Sequence, residues 1–192
     1  MIRRERKNRS GLYIAVFIAA VMIFSTIGFI FGERADTTAN YKYGEYKFSA
    51  TSDNKWATDY NGKSLKFSYL PEEIVDVKIP ENAASLLKNS KMAYVTYDPE
   101  QIGSQEAALA QYELAVLLWN AKIYVQNGMT KENNYNISVI TCANATAAVP
   151  VIDIERTSDN STVEFDNNCI LLKGNPTLLK DRIAYTALGI IK

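Results

Sequence analysis

Lys91-Met92-Ala93-Tyr94-Val95-Thr96-Tyr97-Asp98-Pro99 is the stretch on which the fold turns. After Lys91 come six apolar, aromatic and β-branched residues, so that 91–97 reads as a buried strand, and Asp98-Pro99 closes it. The chain from there to about Gly128 reads as a helix, with Ala107, Gln111, Leu114, Leu118, Ala121 and Val125 on one face and Gly128 as the stop. Residues 137–142 read as the next strand. Strand, helix and strand over 91–142 predict a right-handed parallel crossover if both strands share a sheet.

Toward the N-terminus, Asn61-Gly62 is a type I′ turn dipeptide between alternating apolar residues. It predicts a hairpin with Tyr60 opposite Lys63, Thr58 opposite Leu65 and Trp56 opposite Phe67, ended by Pro71. Tyr46, Phe48 and Ala50 alternate as a further strand, 74–79 reads as another, and a short helix follows near 82–87. Toward the C-terminus, 151–155 and 163–173 each read as one strand. Asn175-Pro176 opens a last helix carrying Leu178, Leu179, Ile183 and Leu188, with Gly189 after it. The expected domain is α/β or α+β, with a mixed sheet, an N-terminal β-hairpin and covering helices.

Ahead of this domain, residues 11–32 carry no charge, a run of 22 residues that would span about 33 Å as a helix. Arg3, Arg4, Arg6, Lys7 and Arg9 precede it against the single acid Glu5. The expected organisation is a cytoplasmic basic tail (1–10), a transmembrane anchor (11–32), a stalk (33–45) and an extracytoplasmic domain (46–192). Tyr41 and Tyr43 in the stalk either lie at headgroup level or begin the first strand. The alternatives are a secretory signal cleaved near Thr37-Thr38-Ala39, and a pilin-like leader, for which Val16 stands where an acid is expected. Gly28 and Gly32 form a small-xxx-small pair that would allow a homodimer through the helix, although glycine is frequent in such segments.

The chain has 192 residues with 21 basic and 21 acidic side chains, no His and two Cys. The five basic residues and one acid of the tail leave 16 basic and 20 acidic for 33–192, so no basic stripe remains for nucleic acid. Without His, Ser-His-Asp and Cys-His catalysis and His-ligated zinc are excluded. No phosphate-binding, dinucleotide-binding or nucleophile-elbow motif occurs, and no calcium-loop spacing. Hence no catalytic residue, cofactor or metal is assigned.

Candidate sites remain. Cys142 and Cys169, at predicted strand ends in an oxidising compartment, are expected to form a disulfide; two buried thiols are the alternative. Asp98, with Thr96, Thr141 and Asn144 near it, falls at the carboxyl edge of the sheet, where parallel sheets bind ligands. Asp98 equally suits an N-cap, with Pro99 at the first helical position and Gln101 closing a capping box. Asp153 and Glu155 are among the scattered acids. Lys180-Asp181-Arg182 reads as a solvated face of the last helix, and Trp56 and Trp119 as core anchors. Asn136, Asn144 and Asn160 are glycosylation sequons outside the membrane, and Asn8 is one inside.

Trp56, Asn61-Gly62-Lys63, Val95-Thr96-Tyr97-Asp98-Pro99 and the ending from Cys169 to Leu188-Gly189-Ile190 resemble small, uncharacterised membrane-anchored proteins of archaeal genomes. The resemblance extends over most of the outer domain. It implies an envelope protein and brings no activity, cofactor or catalytic residue. The expected function is a non-catalytic envelope module that binds or scaffolds a partner. Two alternatives stand beside it: an anchored enzyme or small-ligand binder near Asp98, and a pilin-like subunit.

Overall fold

The computed structural model describes residues 13–22 and 40–191, which belong to two separate units divided after Thr38. In the first unit, residues 13–22 are helical (α1), and Tyr13, Ile14, Val16, Phe17, Ile18 and Val21 are all exposed. No helix among the described residues is long and apolar enough to cross a membrane. The basic tail, the Gly28/Gly32 pair, Asn8, the cleavage-like site and most of the 11–32 run and of the stalk lie outside the described residues.

The second unit begins with an antiparallel sheet of four sequential strands: β1 (Asn40–Tyr43), β2 (Tyr46–Ala50), β3 (Trp56–Tyr60) and β4 (Lys63–Phe67). The β3–β4 hairpin has the predicted register, pairing Tyr60 with Lys63, Thr58 with Leu65 and Trp56 with Phe67. Asn61 and Gly62 both take positive φ, at 52° and 77°, as a type I′ turn requires. The first strand falls inside the stretch read as a stalk.

A short helix, α2 (Pro71–Ile74), follows, its entry fixed by the Leu70 N–H donating to Glu73 Oε2 at 2.6 Å. The strand expected over 74–79 does not form. Its backbone is held instead by Arg182, whose Nε donates to the Val77 carbonyl at 2.7 Å. Then come α3 (Glu81–Asn89), β5 (Met92–Tyr97), α4 (Ser104–Asn120), β6 (Tyr124–Asn127), β7 (Val151–Arg156), β8 (Thr162–Asp166), β9 (Cys169–Gly174) and α5 (Pro176–Ala187).

The second sheet has the order β6-β5-β7-β9-β8, with β8 antiparallel at one edge and the other pairs parallel. The crossover exists, but its second strand is β6 and not 137–142. The helix stops at Asn120 instead of running to Gly128: Lys122 takes a left-handed φ of 66°, and the Ile123 N–H closes the helix end on the Leu118 carbonyl at 3.0 Å. Residues 137–142 make only a bridge, Met129 to Val139, before a single 3₁₀ turn at Cys142–Asn144. Gly128 serves this close approach, since a Cβ there would lie 2.7 Å from the Ile140 side chain. The stretch 163–173 is a hairpin of two strands, turned by Asn167 and Asn168 at φ 47° and 66°.

Helices α4 and α5 lie between the two sheets. Ala93, Val95, Ile152, Ile154, Ile170 and Leu172 face them from the parallel sheet, while Phe48, Leu65 and Phe67 face them from the antiparallel one. The Tyr185 ring sits 4.2 Å from Phe67 and 6.1 Å from Phe48. The opposite face of the parallel sheet carries a smaller cluster of Ile140, Val151 and Cys169 beneath the 129–149 segment.

Lys180-Asp181-Arg182 overturns its reading as a solvated face: the three are 1%, 0% and 5% exposed. Because α5 is covered on both sides, no face is left for water. Asp181 Oδ2 accepts from the Ser68 and Tyr69 N–H groups at 2.7 and 3.0 Å, and its Oδ1 accepts from Lys180. Lys180 Nζ also meets Glu113 Oε2 at 2.9 Å, and Lys55 meets Glu113 Oε1. Burial raises the Glu113 carboxyl, but hydrogen bonds from Lys55 and Lys180 outweigh it and hold the group below its ordinary range.

Candidate functional site

The carboxyl ends of β5 and β7 border a cleft of about 470 Å³ lined by Asp98, Gln101, Thr130, Thr141, Asp153 and Glu155, with Cys142, Ile154 and Arg156 completing it. The site lies where the sheet changes direction: the chain leaves β5 for β6 on one side, and β7 pairs with β5 on the other. Loops diverging at such a point leave a crevice.

Asp98 is not a helix cap, because α4 begins six residues later behind Gly103. Its Oδ1 accepts from the Glu100 N–H at 2.9 Å and its Oδ2 pairs with Lys131 Nζ at 3.0 Å. Burial pushes its carboxyl up, but these two donors hold it below the usual range. Gln101, expected to close a capping box, joins the loop to β7 instead. Its Nε2 donates to the Ile154 carbonyl at 3.1 Å, and its Oε1 accepts from the Arg156 N–H at 2.7 Å.

Thr141 lines the cleft, whereas two other expected members do not. Thr96 is fully buried and donates to the Ile140 carbonyl at 2.9 Å. Asn144 caps its own turn, accepting from the Thr141 N–H at 2.9 Å. Cys142 and Cys169 form the expected disulfide, with a Cα separation of 5.3 Å. Closing that loop stabilises the domain by about 3–4 kcal/mol in the chain-entropy model, and it fastens the 129–149 cover to β9. The sequon residues Asn136, Asn144 and Asn160 all lie at the surface.

Asp153, one of the scattered acids of the sequence, lies in this cleft. It pairs in register with Thr96, and burial, with Glu155 and Asp98 adding to it, raises its carboxyl to about 6. The sign follows from linkage: a group raised in the folded state favours folding at low pH, and that contribution is lost as pH rises through about 6. At about 1.4 kcal/mol per pH unit, discounted for partial exposure, the charge costs the fold about 1–2 kcal/mol at pH 7. Asp153→Asn is therefore expected to be more stable than the parent at pH 7, with the difference vanishing near pH 4. Denaturant midpoints of both proteins at the two pH values check this. Among the described residues no group of three or more His, Cys, Asp or Glu is placed to hold a metal ion.

A second surface feature runs along α4. Its inner face buries Ala107, Ala110, Gln111, Leu114, Leu117 and Leu118, and Gln111 donates to the Val95 and Gly128 carbonyls at 2.7 and 2.8 Å. Its outer face is also apolar: Leu109, Tyr112, Val116 and Trp119 recur at helical spacing and are 48–64% exposed. Trp119 is thus no core anchor, while Trp56 packs against the core. Trp119 meets the exposed Tyr124 of β6 edge-on, with ring centroids 6.3 Å apart, which carries the stripe onto the sheet edge. Comparison with protein-family models, curated proteins and solved structures finds no match to this chain.

Proposed function

We propose that the chain is a membrane-anchored extracytoplasmic module of the cell envelope that works by binding a protein partner and not by catalysis. The observation that carries this reading is the outer face of α4, where Leu109, Tyr112, Val116 and Trp119 stand exposed in a row on a helix already packed on its inner side. Contiguous apolar surface of this kind marks interaction sites. The anchor is supported by the uncharged run 11–32 and by the described part of it, a helix whose apolar side chains are exposed. The Arg- and Lys-rich tail favours an N-terminus in the cytoplasm and the domain outside, where a disulfide persists. The lipid bilayer is the first partner, and nucleic acid is not one.

A small-ligand reading draws support from one feature, the raised Asp153 carboxyl in the strand-end cleft. It is placed second because Asp98 is already engaged by Lys131 and Thr96 by Ile140. Crosslinking in native membranes followed by pull-down of the full chain separates the two. The binding reading expects a protein crosslinked through α4, and recovery of the chain alone and uncrosslinked overturns it.

A further inference from the structure

We infer that the partner seated on α4 is a second copy of this chain, joined edge to edge through β6. The inference rests on the binding role proposed above and names its occupant. Strand β6 is an edge of the parallel sheet. The Tyr124 and Gly128 N–H groups point inward, donating to the Lys91 and Val95 carbonyls at 2.8 and 2.9 Å. In a strand, the alternate residues Val125 and Asn127 then turn their backbone groups outward, and no hydrogen bond to them occurs among the described residues.

Open edges are templates for pairing, and proteins blunt them with charge. Among the described residues, three of the four sheet edges follow that rule: β1 carries Lys42, β4 carries Lys63 and Lys66, and β8 carries Glu164 and Asp166. Only β6, Tyr124-Val125-Gln126-Asn127, has no charge and no proline. Beyond Met129 the edge is closed by the 138–140 segment, which accepts from and donates to Met129 at 3.0 and 2.8 Å. The open part is therefore short and ends at a fixed point.

The apolar stripe meets this open part through Trp119 and Tyr124, and its Tyr112 and Val116 border a cleft shared with Lys55, Leu65 and Lys66 of the antiparallel sheet side. A two-fold axis across β6 would pair the strand antiparallel with its copy, extend the five-stranded sheet to ten strands, and set the two α4 helices side by side. The exposed parts of Leu109, Tyr112, Val116, Trp119 and Tyr124 amount to about 600 Å² per copy, or about 1,200 Å² for a pair, the lower end of a stable specific interface. The edge supplies direction and register, and the stripe supplies apolar area.

Asn127→Cys, at the exposed outward position of β6, tests the arrangement. Both native cysteines are in the disulfide, so the new thiol is the only free one. Full chain in detergent micelles is expected to form a covalent dimer through this thiol with a short bismaleimide, whereas Glu164→Cys on the β8 edge is expected to form none. Trp119→Asp, with Tyr112→Ser as a second surface change, is expected to raise the dimer Kd about 30- to 100-fold by light scattering while leaving the melting temperature of the dilute monomer in place. The same measurement on Gly28→Leu/Gly32→Leu is expected to keep the dimer, which separates this contact from one through the N-terminal helix. Absence of the Asn127→Cys dimer, or a Trp119→Asp protein whose dimer Kd is unchanged, overturns the second copy as occupant. If crosslinks from α4 then reach a different protein, the binding role survives; if they reach none, both fall.

Discussion

Asp181→Ala is expected to destabilise the protein by about 3–5 kcal/mol, the range found when one partner of a buried charge pair is removed. Asp181 is fully buried and both of its oxygens are engaged, by Lys180 and by the Ser68 and Tyr69 N–H groups. Alanine would strand two backbone donors where β4 runs into α2 and leave the buried Lys180 ammonium with Glu113 alone. Each unmet donor costs about 1–3 kcal/mol. The damage is also expected to be local. Asp181 ties the antiparallel sheet to α5, so hydrogen exchange should accelerate in β1–β4 before it does in β5, β7 and β9. Denaturation of the full chain in detergent, followed by tryptophan fluorescence, reads the total loss. A midpoint unchanged from the parent would show that the network contributes little.

Tyr185→Ala is expected to cost about 4–5 kcal/mol, and Tyr185→Phe only about 1–1.5. The ring is fully buried, stacks 4.2 Å from Phe67, and contacts Phe48 edge-on. Its hydroxyl donates to the Tyr69 carbonyl at 2.8 Å. Truncation leaves a ring-sized cavity between α5 and the antiparallel sheet, and the facing rings are held by their own strands, so collapse would be partial. Phenylalanine keeps the ring and loses one hydrogen bond. The same denaturation measurement compares them; equal losses for the two variants would mean the hydroxyl, and not the ring, holds the sheets together.

Local chemistry was readable in the sequence wherever a residue type dictates backbone geometry. Asn61-Gly62 set a hairpin and its register, and Asn175 caps α5 by accepting from the Thr177 and Leu178 N–H groups. Where other residues make the same geometry, no residue type announces it. Lys122 ends α4 in the left-handed region without a glycine, so in the sequence β6 looks like a last helical turn. Asn167-Asn168 turns a hairpin without a glycine, so β8 and β9 merged into one strand.

Burial was the harder quantity. Lys180-Asp181-Arg182 looks solvated as a charge triplet, yet Leu178, Leu179, Ile183, Ala184, Tyr185 and Ala187 leave the helix no consistently polar face. An apolar surround of that kind is the mark of a helix enclosed by other layers. The candidate site was half legible. Asp98 reaches the cleft through the strand-end rule, whereas Thr141 reaches it from the start of a 3₁₀ turn and not from a strand. Asp153 depends on the pairing of β7 with β5, a contact between residues far apart in sequence. The outer stripe of α4 looks in the sequence like part of a buried helix, because spacing alone does not say which of two apolar faces meets the core.

The central claim is that the exposed face of α4 holds a protein partner on an anchored domain. A photo-crosslinking residue at Tyr112, in full-length chain in native membranes, tests it most directly, with the same residue at Lys88 on α3 as the control. The expected result is a discrete higher-mass adduct from position 112 and none from position 88. Equal crosslinking from both positions, or none from position 112, would contradict the account.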